Sequence, residues 1–126
     1  MQKYRMAHTM LRVFDLERSI QFYEKVLGLR VIRSVDVPEH KFTLVFLGDG
    51  VSDFLLELTY NYGRAPYELG TGYGHIAFTV PDLIQSNEEH RTMGIECSPL
   101  RYTEDGTPRY YFIEDPDGYE IELLQE

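Results

Sequence analysis

Apolar and polar residues alternate from Ala7 to Phe14, the period of a half-buried strand, and Asp15 then offers a side-chain acceptor where a helix would start. Leu16, Ile20, Tyr23 and Leu27 follow at the helical period and make one apolar face, and Gly28 stands where a helix C-terminus favours glycine. Three strand-like runs come next, Leu29 to Val35, Phe42 to Leu47 and Phe54 to Tyr60, with Asp49-Gly50 turning between the last two. The pattern predicts β-α-β-β-β. Beyond a Gly- and Tyr-rich stretch the same order returns. A strand is expected from His75 to Val80, a more polar helix from Asp82 to Met93 stopped by Gly94, and strands near Ile95 to Tyr102, Arg109 to Ile113 and Tyr119 to Leu124. Asp115-Pro116-Asp117-Gly118 is a turn signal, because proline pre-sets φ at the second position and glycine suits the fourth.

The recurrence extends to individual residues. His8, Val13, Asp15, Leu16 and Ser19 reappear as His75, Val80, Asp82, Leu83 and Ser86 at one constant offset of 67 positions. The halves also end alike, on Leu56-Glu57-Leu58 and Ile121-Glu122-Leu123, so Glu57 follows His8 by 49 positions and Glu122 follows His75 by 47. The expected organisation is one domain over 1–126, made of repeats at about 6–60 and 74–126 joined by a linker at 61–73. The fold class is α+β: two β-α-β-β-β repeats pairing into a curved eight-stranded sheet.

Composition narrows the classes. Of 126 residues, 43% are hydrophobic and 26% charged, as in ordinary globular chains, and seven Phe and ten Tyr supply bulky core and pocket material. A formal charge of -9 without a Lys/Arg cluster argues against nucleic acid, so an anionic ligand must find a local basic pocket. No apolar run is long enough to cross a bilayer, and the start MQKYRMAHTM lacks the apolar stretch of a secretory signal; a cytoplasmic location without membrane partners is expected. The single cysteine, Cys97, can form no internal disulfide and reads as an inert core thiol.

Candidate chemistry lies in the repeated ends. Strand alternation puts His8, Met10 and Arg12 on one face, and Glu57, Thr59 and Asn61 on one face. A lone strand histidine is usually a surface or satisfied core residue, and a glutamate on a closing strand is usually solvated. Their appearance at equivalent ends of both repeats argues instead for a shared site. Paired halves can place His8, Glu57, His75 and Glu122 together, and two imidazoles with two carboxylates suit one divalent first-row metal, zinc included. His40 and His90 lack such a relation and read as surface residues.

Several stretches resemble one known family. His8-Thr-Met-Leu-Arg-Val, Glu57-Leu-Thr-Tyr-Asn61-Tyr-Gly63, Tyr67-Glu-Leu-Gly70-Thr-Gly-Tyr-Gly-His75-Ile-Ala and Glu114-Asp-Pro-Asp-Gly-Tyr-Glu-Ile-Glu122-Leu are similar to motifs of the glyoxalase I branch of the vicinal oxygen chelate superfamily, over essentially the whole chain. The resemblance implies isomerisation of the hemithioacetal of methylglyoxal and glutathione to S-D-lactoylglutathione. It also implies a metal held by His8, Glu57, His75 and Glu122, and Glu122 as catalytic base with Glu57 as its pseudo-symmetric mate. Arg12 and Asn61 match positions that bind the γ-glutamyl end of glutathione. Basic residues for the glycine carboxylate have no match, Arg101 and Arg109 being only in the neighbourhood. The short chain is similar to compact bacterial members that prefer nickel or cobalt, and a homodimer is expected. Paired halves can close on each other or exchange with a second chain, so either arrangement could build the site.

Four rival readings stay within the superfamily. Acyl-CoA epimerases resemble two His, one Gln and one Glu, where this chain has Glu57. Ring-cleaving dioxygenases and thiol transferases use two His and one Glu. A metal-free small-molecule binding protein of the same fold would have no reason to keep four ligands.

Overall fold

The computed structural model describes all 126 residues as two compact units, Met1–Glu68 and Leu69–Glu126. In the first, strand β1 (His8–Val13) leads into helix α1 (Leu16–Leu27), then β2 (Arg30–Val37), a single 3-10 turn at Pro38–His40, β3 (Phe42–Gly48) and β4 (Leu55–Asn61). The strands form one mixed sheet in the order β1-β4-β3-β2, in which β1 and β4 run parallel and the other neighbours antiparallel. Asp15 caps α1 by accepting the Arg18 N–H, and Gly28, at φ 68, ends it while donating its own N–H to Glu24. Only glycine takes that left-handed conformation freely.

Alternation divides this sheet into two faces with different contents. Leu11, Val13, Leu56, Leu58, Val45 and Leu47 are buried with Tyr23 and Ser19 of α1, forming the core of the unit. His8, Met10 and Arg12 occupy the other face, in register with Leu55, Glu57 and Thr59 of β4. Phe46 and Leu44 of β3 lie beside Glu57 and Thr59 on that same face. Core formation through one set of alternate positions therefore commits the other set to a common surface.

The second unit repeats the plan: β5 (Ile76–Val80), α2 (Leu83–Thr92), β6 (Arg101–Tyr102), β7 (Pro108–Glu114) and β8 (Glu120–Gln125), in the sheet order β5-β8-β7-β6. The eight strands are thus distributed as two four-stranded sheets, one per unit. Asp82 caps α2 through the Gln85 N–H, as Asp15 caps α1. Leu83, Tyr111, Ile113, Ile121 and Leu123 make the core. In the turn before β8, Asp115 is buried and its Oδ1 accepts the N–H groups of Asp117 and Tyr119, while Gly118 takes φ 91.

Three features depart from the sequence expectation. The strand expected over Ile95 to Tyr102 reduces to two residues, because Pro99 has no N–H and the Ser98 side chain takes the Phe112 N–H in place of a strand partner. His90, expected at the surface, is 4% exposed, with its Nδ1 2.7 Å from the Tyr111 hydroxyl, which is in turn 2.7 Å from Ser86 Oγ. Cys97 is half-buried and no core residue; burial raises its thiol above the ordinary value. The segment expected as a linker is divided at Glu68/Leu69, and Tyr73 within it donates its hydroxyl to the Glu120 carbonyl. No helix is long and apolar enough to cross a membrane.

Candidate metal centre and adjoining pocket

Each unit brings together one histidine and one glutamate. His8 Nε2 lies 3.1 Å from Glu57 Oε1 in the first, and His75 Nε2 lies 3.3 Å from Glu122 Oε1 in the second. The strand order produces both pairs: the opening strand of each unit runs parallel beside its closing strand. Met10 and Ala77 pair with Glu57 and Glu122, and each histidine stands two residues earlier on the same face. No group of three or more His, Cys, Asp and Glu side chains that could hold a metal forms within either unit.

The two pairs share their pattern of exposure and an aromatic neighbour. Side-chain exposure is 43% for both histidines but 11% for Glu57 and 16% for Glu122, so an accessible imidazole leans over a sheltered carboxylate. Phe46 meets the His8 ring edge to face at 5.6 Å, and Phe112 meets His75 in the same way at 5.2 Å. Phe46 and Phe112 are also the strand partners of Glu57 and Glu122. These two phenylalanines escape a sequence reading, although they precede their glutamates by 11 and 10 positions. Arg33 places its guanidinium over the Phe46 ring, 4.1 Å from its centre.

The donor set fits a divalent ion. Ligand bonds of about 2.1 Å at a right angle put two donor atoms about 3.0 Å apart, close to the spacing of each pair. Imidazole nitrogen with carboxylate oxygen is a mixed hard and borderline set, suited to nickel, cobalt or zinc.

The carboxylates differ in one respect. Glu57 Oε2 accepts a hydrogen bond from Thr59 Oγ1 at 2.8 Å, and both side chains are buried. Leu124 stands at the corresponding position two residues after Glu122 and has no hydroxyl to offer.

Next to the first pair, Arg12, Phe42, Leu44, Thr59, Asn61, Arg64 and Tyr67 line a pocket of about 580 Å³. Arg12 and Asn61, the two expected substrate contacts, thus share one cavity, on the same sheet face as His8 and Glu57. Asn61 Nδ2 donates to the Tyr67 hydroxyl at 2.9 Å, and Arg64 lies 5.7 Å from the Tyr67 ring centre. The chain just beyond β4 is held by Tyr62, which shares Asp36 with Thr43; these hydroxyl donors, Tyr62 first, lower the Asp36 carboxyl below its ordinary value. Two arginines and no carboxylate line the cavity, so it is a local basic pocket on a chain of charge -9. Arg101, in register with Tyr110, shares the His75 face of its sheet, whereas alternation puts Arg109 on the other.

Comparison with known proteins follows the same lines. A family model described as the Glyoxalase/Bleomycin resistance protein/Dioxygenase superfamily matches residues 5–123. The chain is 48% identical over 128 residues to a lactoylglutathione lyase of Escherichia coli O157:H7, covering 97% of this chain and 93% of that protein. Among solved structures it is similar to the trypanothione-dependent glyoxalase I of Leishmania major, with TM-score 0.85 and 47% identity over 98% of this chain and 88% of that one. Glyoxalase I from Zea mays gives a TM-score of 0.87 at 39% identity over 97% of this chain, which spans 44% of that longer one.

Proposed function

From the premise that this chain belongs to the lactoylglutathione lyases of the Glyoxalase/Bleomycin resistance protein/Dioxygenase superfamily, we propose that His8, Glu57, His75 and Glu122 form its metal-binding and catalytic centre. The activity is that of glyoxalase I, a carbon–sulfur lyase that isomerises the hemithioacetal of methylglyoxal and a thiol to the D-lactoyl thioester. The observation that carries the residue assignment is the duplicated His–Glu pair, at 3.1 and 3.3 Å, in equivalent places of two sheets.

A divalent metal is part of this activity, and nickel or cobalt is our choice over zinc; when bound, it supplies Lewis-acid stabilisation of the charge that develops on the substrate oxygens. His8 and His75 supply Nε2 donors and the two glutamates supply Oε1. Glu122 takes the proton from the substrate carbon that bears sulfur and hydroxyl, leaving an enediolate. It then returns that proton to the neighbouring carbon while the hydroxyl proton passes from the first oxygen to the second, so the thioester carbonyl forms at the sulfur-bearing carbon and the reaction is an isomerisation with no net change in atoms. A carboxylate is a weak base toward carbon, and Lewis-acid activation of the substrate by the bound metal would offset that weakness.

Arg12 and Asn61 hold the γ-glutamyl end of glutathione in the pocket beside Glu57. Arginine pairs with a carboxylate through two parallel N–H donors, the geometry a ligand carboxylate needs in a pocket lined by Arg12 and Arg64. The assembly we propose is a cytoplasmic homodimer. A four-ligand site takes one His–Glu pair from each of two units, whether of one chain or of two.

The test is a thiol-dependent assay: purified protein, methylglyoxal and glutathione, with thioester formation followed before and after metal removal. Turnover should require glutathione, vanish on chelation and return with Ni²⁺ or Co²⁺. Racemisation of an acyl-CoA thioester without lyase activity would overturn the assignment, as would a purified protein that turns over equally well without metal.

A further inference from the structure

The repeat supplies an internal comparison, since two pairs of like geometry differ in a hydrogen bond to one of the carboxylates. Glu57 and Glu122 stand in equivalent register, each flanked by a strand partner on either side: Met10 and Phe46 in the first sheet, Ala77 and Phe112 in the second. Two residues further on, Thr59 lies between Arg12 and Leu44, and Leu124 lies between Thr79 and Tyr110. The threonine hydroxyl occupies Glu57 Oε2 at 2.8 Å in a buried setting. Leucine leaves Glu122 Oε2 without such a contact.

We infer that Thr59 is a positioning residue that makes the two carboxylates unequal, locking Glu57 as a stationary oxygen donor and leaving Glu122 as the carboxylate that can move and exchange a proton. The inference rests on the ligand assignment proposed above and deepens it. A carboxylate with one oxygen held by a neighbouring hydroxyl cannot rotate about its terminal bond without breaking that bond, so Glu57 presents Oε1, the atom facing His8, in a single orientation. Such partners of ligating carboxylates commonly control metal affinity. Glu122 has the same fold around it without the restraint, and a general base must reorient as its proton is taken and returned. The asymmetry is therefore written into the chain before any substrate binds. Thr59 also lines the basic pocket, which ties the anchored carboxylate to the side where the thiol end is held.

The experiment uses the full chain and Ni²⁺ alone as probe, with affinity measured by chelator competition and folding checked by circular dichroism. Thr59→Val, close in shape but lacking the donor, should bind Ni²⁺ at least roughly tenfold more weakly, and Thr59→Ser, which restores the hydroxyl, should return to within about threefold of the parent. The converse variant, Leu124→Thr, offers Glu122 the same restraint. Its kcat should fall roughly tenfold while KM and Ni²⁺ affinity stay within about threefold of the parent. Parental Ni²⁺ affinity in Thr59→Val, failure of Thr59→Ser to restore it, or parental kcat in Leu124→Thr would each overturn the inference while leaving the ligand set standing. Weak Ni²⁺ binding by the parent itself, or binding unaffected by Glu57→Gln, would overturn the ligand assignment and the inference together.

Discussion

Residue identities at the two pairs are symmetric, so the division of labour between Glu57 and Glu122 has to be measured. Glu122→Gln keeps size and an oxygen donor but removes the basic carboxylate, and turnover should fall by a factor on the order of 10²–10⁴ in protein that still carries metal. Glu57→Gln should cost less turnover and more metal. Steady-state kinetics with metal content measured on both variants decides this: metal-replete Glu122→Gln with near-parental activity beside a dead Glu57→Gln would reverse the roles. Arg12 and Asn61 are proposed to act at the other end of the ligand. Arg12→Ala and Asn61→Ala should raise KM, or weaken binding of an S-substituted glutathione, by roughly 10–100-fold, as expected for losing a hydrogen bond to a charged group of about 1.5–3 kcal/mol. Metal content should be unchanged in both, since neither side chain belongs to the proposed ligand set.

At the scale of elements, the second helix is less apolar than the first and relies on a polar contact to its sheet. Ser86 and His90, one turn apart on α2, meet the Tyr111 hydroxyl of β7 inside the core of the unit. Burial raises the Tyr111 hydroxyl to about 12, against an unfolded value of about 10. The folded protein thus keeps a proton that the unfolded chain gives up. Stability from this group is complete below pH about 10 and is lost as pH rises through about 12. Tyr73, also raised to about 12 by burial first and by Asp115 next, adds to the same window. Thermal melts should therefore show a fall in Tm between these values. Tyr111→Phe should flatten part of it while lowering stability at neutral pH by about 1–3 kcal/mol, because Ser86 and His90 each lose a buried partner. A Tyr111→Phe protein with the parent's neutral Tm and the parent's alkaline fall would contradict this role.

For the whole molecule, each unit contributes one His–Glu pair, and the source of the second pair can be tested without a structure. If the centre is built across two chains, mixing His8→Ala with His75→Ala protein after partial unfolding should recover activity. A mixed dimer then contains one site with four intact ligands and one with neither histidine. If each chain builds its own site, every site in the mixture lacks one histidine and no activity returns. Light scattering should give twice the chain mass of 14.8 kDa for the proposed homodimer. The charge of -9 also has a consequence, since an anionic substrate would approach a repelling molecule and, in the proposed pose, bind beside Arg12 and Arg64. Added salt screens both effects, and a net fall in apparent affinity would show that the local pocket outweighs the global charge.

The repeated order of elements, the N-cap of the first helix and the glycine ending it were legible in the amino-acid sequence, and the choice of four candidate ligands came from it, because each rests on local rules: the period of apolar residues, capping chemistry and a constant offset between halves. Period two was enough to put Arg12 with His8 and Asn61 with Glu57. Tertiary structure alone decided what lies beside those residues. Phe46 backs His8, and Phe112 backs His75, only because β3 and β7 are the antiparallel neighbours of the closing strands, a register that no local pattern specifies. His90 looked like a surface residue in a polar helix; it is buried because its side of α2 faces Tyr111, and a hydrogen bond offsets the cost of removing an imidazole from water. The expected strand at Ile95 failed at Pro99, where the missing N–H and the Ser98 side chain interrupt the ladder. Thr59 could be placed on the right face from its sequence position, but its hold on Glu57 depends on a rotamer and a 2.8 Å distance. Periodicity determines which way a side chain points, and only packing determines what it meets there.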